Sequence, residues 1–225
     1  AVVAVMLGDA LAFSVQLINA SALDEFASAV RSVNGQPDLE LRAAQGGFDE
    51  RVFERIATHP QVALASPVLE TQVQLLGKEG RRTPMRVLGV DSLALPEIAP
   101  ALSPRTAAGV DRLAQFAPGQ IFLNAAARSS AGADAATVQV QAGARTHTLN
   151  VAGSVNAGGG ALAVMDIGAA QDLFERIGQL SRIDIRLHPG TDRAAFAHAL
   201  EQSAGWPAGL RLAEPGDSAQ RVSNL

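Results

Sequence analysis

The sequence contains no cysteine and no tyrosine, and Trp206 is its single tryptophan. Without cysteine there is no thiol nucleophile, no disulfide and no thiolate metal site. Aromatic residues make up only 4 % of the chain, which leaves no platform on which bases could stack. Charged residues are sparse at 18 %, and their balance is −4. Arg81 and Arg82 are the only adjacent basic pair, so the basic stripe that nucleic acid requires is missing. What remains is apolar: 48 % of residues are hydrophobic and the mean hydropathy is +0.14. A chain of 225 residues with that content has material for one large domain or two small ones.

The first residues, AVVAVMLGDALAFSVQLINASAL, include no initiator Met, no basic n-region and no A-x-A cleavage site. They read as the outer end of a membrane helix, entered in mid-span. The pattern runs without Pro to Val33, where Asn34-Gly35 supplies a stop. A helix over residues 2–33 would be about 48 Å long at 1.5 Å per residue. One stripe at 3–4 spacing carries Asp9, Ala12, Gln16, Asn19, Leu23, Phe26, Val30 and Val33. Its second half is apolar among polar neighbours, as for a helix seam in water. Its first half, with Asp9, Gln16 and Asn19, is polar among apolar neighbours, as for a helix in lipid whose polar groups face protein. The expectation is one protein-facing stripe that leaves the membrane. Leu23, Phe26, Val30 and Val33 would then form a seam, and Asp9, Gln16 and Asn19 an intramembrane polar face.

Further along, strand and helix signals alternate. Asp38–Ala43 reads as a strand and Phe48–Thr58 as a helix stopped by His59-Pro60. Gln61–Leu76 is a long strand bent at Pro67, and a Gly77–Gly80 loop returns it as Arg81–Val90. The segment 91–160 is rich in Ala, Pro and Gly. It holds a short strand at Gln120–Leu123, a helix capped by Asn124, and a hairpin of Thr137–Gln141 with Thr146–Gly153. Strand Ala161–Met165, helix Asp166–Ile177, strand Arg182–Leu187, helix Thr191–Ser203 and strand Leu210–Ala213 complete the pattern. The tetrapeptide Phe-Glu-Arg-Ile occurs at 53–56 and again at 174–177, a hint of two similar α/β units. The tail 216–225 reads as the start of a further helix.

Chemistry-bearing motifs are few. His59, His147, His188 and His198 show no i, i+4 pairing and no H-E-x-x-H. Gly158-Gly159-Gly160 lacks a following Lys-Ser/Thr and precedes a strand, so it reads as a connector rather than a phosphate loop. There is no G-x-S-x-G elbow around Ser129-Ser130. Asp166, between a strand and a helix, reads as an N-cap. Asp184, in the alternating run Arg182-Ile183-Asp184-Ile185-Arg186-Leu187, reads as a solvent-facing carboxylate between two arginines. No catalytic residue, cofactor site or metal site is assigned.

Two stretches carry a resemblance: Leu17–Phe26 (LINASALDEF) leaving an apolar helix, and Gly159–Leu187 (GGALAVMDIGAAQDLFERIGQLSRIDIRL). Together they resemble the extracytoplasmic, MacB-like periplasmic core domain of FtsX-like ABC-transporter permeases. The resemblance implies an α+β fold, with a porter-like α/β subdomain built from both ends of the chain (36–90 and 161–215). It implies an inserted β-rich subdomain at 91–160, a long helix at 1–35 continuing a first transmembrane segment, and 216–225 leading to the next. It also implies a non-catalytic domain on the periplasmic side of the inner membrane that couples ATP hydrolysis to handling of a hydrophobic or lipidated substrate. The implied partners are the protein's own transmembrane helices, a cytoplasmic ATPase subunit, a second permease domain, and a hydrophobic or lipoprotein substrate. The alternative from the residues themselves is a soluble periplasmic α/β binding protein or small-molecule enzyme.

Overall fold

A computed structural model describes residues 37–77 and 80–215. The helix expected over 2–33, with Asp9, Gln16, Asn19, Leu23, Phe26, Val30 and Val33, and the tail 216–225 lie outside the described residues.

The fold is a mixed α/β structure dominated by sheet. It begins with β1 (Leu39–Ala43), a short β2 (Phe48–Asp49), α1 (Arg51–Ala57), and the long β3 (Val62–Leu76). Next in the chain is β4 (Arg82–Val90), followed by α2 (Leu95–Ile98), two 3-10 turns, β5 (Arg105–Thr106) between them, and β6 (Gln120–Leu123). Next come α3 (Ala125–Ala131), the hairpin β7 (Thr137–Ala142) and β8 (Arg145–Ser154), then β9 (Leu162–Asp166) and α4 (Ile167–Leu173). The chain closes with β10 (Gln179–Leu180), β11 (Arg182–Leu187), α5 (Arg193–Glu201) and β12 (Leu210–Ala213).

Strand pairing resolves two lobes. The first has the order β12-β1-β11-β3 with every neighbour antiparallel. Strands β1 and β3 are thus parallel across β11 and joined through α1, and β11 and β12 are parallel across β1 and joined through α5. This is a split β-α-β-β-α-β arrangement. Its helices lay Ile56, Phe196 and Leu200 on Leu39, Leu41, Ile183 and Ile185. The register follows from period-2 alternation, because Leu39 opposes Ile185 and Leu41 opposes Ile183.

The second lobe is inserted between the second and third strands of the first. Pairing runs β3-β4-β9-β6-β8-β7 and returns to β3, so six strands close into a ring. One face of every strand feeds a single cluster that includes Leu69, Val73, Val87, Ile121, Val140, Leu149 and Met165, with Ala127 of α3 and Ala170 of α4 added to it. Closure removes the exposed strand edges that an open sheet would carry. Outside the ring, Leu88, Phe122 and Val164 pack under Leu95, Ile98 and Leu102 of the chain after β4. Gly89 is required where α4 crosses β4, since a Cβ there would lie 2.5 Å from the Ala170 Cβ.

β3 belongs to both lobes. Val62–Val68 pairs with β11, Val68–Leu76 with β4, and Gln74–Leu76 with β7 as well. Pro67 lies one residue before the β4 ladder begins, at its Val68–Val90 pair, so no bond of that ladder is lost. The pairing therefore changes partner near Val68 and Ser181. The composition boundaries at 90/91 and 160/161 fall inside the ring, where β4 pairs β9 and β9 pairs β6.

Several expectations shift. Phe48 begins no helix. It pairs with Leu180 in the β2–β10 ladder, and α1 starts at Arg51. The helix after Asp166 stops at Leu173, because Glu175 takes φ +55° and Gly178 φ +77°. The two Phe-Glu-Arg-Ile copies are consequently unlike: Ile56 is fully buried inside α1, whereas Ile177 is 74 % exposed beyond the end of α4. The tetrapeptide marks no structural repeat.

Candidate functional site

Asp184 is the largest correction. Its carboxylate does not face solvent: it is 2 % exposed, and Arg182 beside it is fully buried. Arg182 donates from Nε at 2.7 Å and from Nη2 at 3.2 Å to the two Asp184 oxygens, a two-pronged pairing. The apolar residues of β1 and β11 fill the helix-covered face, so the intervening Glu40, Arg42, Arg182 and Asp184 must share the other face.

That face carries a connected ion network. Arg42 donates to Glu40 at 2.8 Å. Glu70 of β3 accepts from Arg86 of β4 at 3.2 Å and from Arg182 at 3.5 Å, with Arg42 at 3.9 Å. Three arginines thus meet three carboxylates and the network is neutral. Burial raises the Asp184 carboxyl to about 6 against the pull of Arg182. Burial also opposes the charge on Arg182, but Asp184, Glu40 and Glu70 outweigh it and hold the guanidinium firmly protonated. Two buried oxygens on this face, Glu40 Oε1 and Ser66 Oγ, accept no hydrogen bond. At the edge, Arg186 donates to the Glu97 carbonyl of α2.

The other sequence candidates fall into supporting roles. Asp166 caps α4 by accepting from the Ala169 N–H at 3.0 Å. Asn124 does more than cap α3. Its Oδ1 accepts from Ala127 N and Leu162 N, and its Nδ2 donates to the carbonyls of Ala157 and Gly160. It thereby fastens the glycine connector to β9. Ser130 donates to the Ala126 carbonyl one turn earlier. His59 packs edge-on against Phe196 and His147 against Phe174, so these two histidines serve different clusters. Among the described residues no three His, Asp or Glu side chains gather as metal ligands.

A groove of about 720 Å³, open to solvent, lies between Gly47–Arg51 and Ile177–Gln179. Arg51 donates to Asp49 from its side chain and its backbone, and these bonds hold the Asp49 carboxyl down at about 2. Among the described residues no helix is long and apolar enough to cross a membrane.

No protein-family model matches the chain, and no curated protein sequence matches it. Solved structures do. The extracellular domain of the noncanonical ABC-type transporter YknZ from Gram-positive bacteria aligns with TM-score 0.58 at 11 % identity, over 78 % of this chain and 99 % of that one. The periplasmic region of MacB from Actinobacillus actinomycetemcomitans aligns with TM-score 0.58 at 9 % identity, over 87 % of this chain and 96 % of that one. The chain has the fold of extracytoplasmic domains of ABC-type transporter permeases.

Proposed function

We propose that this chain is the periplasmic domain of an ABC-transporter permease in the inner membrane, of the FtsX-like, MacB-core type. Its work is mechanical: it couples cytoplasmic ATP hydrolysis to the handling of a hydrophobic or lipidated substrate. The observation that carries the reading is the split β-α-β-β-α-β sheet with a second lobe inserted in it, a fold shared along nearly the whole length of two transporter domains. The first lobe is the porter-like unit. The stripe Leu23, Phe26, Val30 and Val33 seats residues 1–35 on it as a lever, and Asp9, Gln16 and Asn19 face protein within the membrane. Residues 216–225 lead to the next transmembrane segment. The partners are the permease's own transmembrane helices, its cytoplasmic ATPase, a second permease domain and the substrate.

The charged face supports a non-catalytic role. Its innermost pair, Arg182 with Asp184, is buried out of reach of a substrate, whereas a general acid–base pair must meet the group whose proton it moves.

These 225 residues hold no cysteine, so cysteines placed among them, in a background with any others replaced, report where the domain lies. Single cysteines at exposed Gln139 and Ala199 of the native reading frame are treated, in intact cells, with a maleimide that cannot cross the inner membrane. Labelling of both sites on a membrane-bound protein is expected. Protection of both until the cells are lysed would place the domain in the cytoplasm and end the reading.

A further inference from the structure

We infer that Glu70 is a latch that sets the angle between the two lobes. β3 passes through both without a break, and around Glu70 one of its edges stays in the β4 ladder, with Glu70 opposite Leu88, while the other edge changes partner. On the edge that holds β11 and β7, pairing with β11 ends at Val68 and pairing with β7 begins at Gln74. A serine fills part of the gap. Ser181 N donates to the Val68 carbonyl at 2.9 Å, Glu70 N donates to Ser181 Oγ at 2.9 Å, and that hydroxyl faces the Glu70 carbonyl at 3.3 Å. A side-chain hydroxyl there replaces the regular ladder on that edge, so between Val68 and Gln74 the tie between β3 and the split sheet rests on side-chain bonds rather than on strand pairing.

The Glu70 side chain spans the same junction. It meets Arg42 of β1 and Arg182 of β11, both in the split sheet, and Arg86 of β4, in the ring. Arg86 and Arg182 therefore reach one carboxylate from opposite lobes. Glu70 is 20 % exposed, so water can replace its contacts when the lobes part, at lower cost than for the fully buried Arg182–Asp184 pair. A residue that ties two lobes where one edge of their shared strand changes partner, with water at hand, has the properties of a hinge lock. This inference depends only on the described contacts and holds whether or not the chain belongs to a transporter.

The test uses the full chain carrying cysteine pairs with spin labels and pulsed electron–electron distance measurement. One pair, Gln139→Cys with Ala199→Cys, spans the lobes; the other, Ala57→Cys with Ala199→Cys, lies within the split sheet's helices. Glu70→Gln keeps the side chain's size and removes its charge, and Arg86→Gln removes the ring-side donor. Each is expected to broaden the inter-lobe distribution at least twofold and to leave the intra-lobe distribution unchanged. An inter-lobe distribution of unchanged width in both variants would overturn the latch. Equal broadening of the two pairs would also overturn it, since that is general loosening. Failure of the Glu70 variant to fold leaves Arg86→Gln to decide by the same two readings.

Discussion

Leu39, Leu41, Ile183 and Ile185 alternate along β1 and β11 with Glu40, Arg42, Arg182 and Asp184. Neighbouring residues of two strands thus build faces of opposite chemistry. The first face is an ordinary core, covered by α1 and α5 and stabilised in proportion to the apolar area removed from water. The second is nearly as well buried at Glu40, Arg182 and Asp184, yet it is made of charge. Burying charge returns little net stability, because the desolvation cost consumes most of the Coulombic gain. What the charged face provides is specificity of position. It holds together only where each arginine finds its carboxylate, and these come from β1, β3, β4 and β11 across both lobes.

The difference should be sharpest in how each face responds to damage. Arg182→Ala is expected to cost about 3–5 kcal/mol, because it leaves Asp184 buried without its partner. Arg182→Met combined with Asp184→Leu removes the pair as a unit and is expected to lie within about 1 kcal/mol of the parent in urea unfolding. A double variant as damaged as the single one would make the pair a net source of stability. On the apolar face, Leu41→Ala is expected to cost about 2–5 kcal/mol, and no second substitution on the charged face should restore it.

Proton uptake separates the faces next. The folded Asp184 carboxyl is pushed up to about 6 against 3.8 for a free aspartate, so between these values the folded state holds more protons than the unfolded. Stability from this group therefore rises as pH falls from 7 towards 4. Asp49, held at about 2, acts in the opposite sense and only below pH 4. Urea midpoints at pH 7 and pH 5 should show the rise, and Asp184→Asn should flatten it. A slope unchanged in Asp184→Asn would remove Asp184 as its source. The smallest expected effect lies outside both faces: Asp166→Ala should cost about 1 kcal/mol as a lost N-cap, readable as a shifted thermal midpoint with no change in pH slope.

Much of this was legible in the sequence, for identifiable reasons. The strands β1, β3, β4, β6, β7, β8, β9 and β11 follow from alternation and from the turn residues between them, and Asn124 and Asp166 follow from capping chemistry. The alternation of Arg182-Ile183-Asp184-Ile185 also placed the charged residues together on one face. It could not give their burial, because period-2 charge normally means solvent, and the partners Glu40 and Glu70 lie more than a hundred residues away in the chain. Ring closure was equally hidden. It depends on three residue pairs between β3 and β7, Gln74–Gln141, Leu75–Val140 and Leu76–Gln139, and no local signal announces them. Composition placed the lobe boundary at 90/91, but a strand that serves two lobes shows no change of composition where its partner changes.

The central claim is that the domain transmits motion, and inserting Gly-Ser between Ala20 and Ser21 of the assembled transporter tests it most directly. Glycine softens the helix expected there, and two added residues shift the seam Leu23, Phe26, Val30 and Val33 out of register. ATPase rate and substrate release are measured on the same preparation, with urea unfolding of the domain as the control. The account predicts ATP hydrolysis that no longer drives release, in a domain whose unfolding midpoint is unchanged. Full coupling in the insertion variant would contradict it.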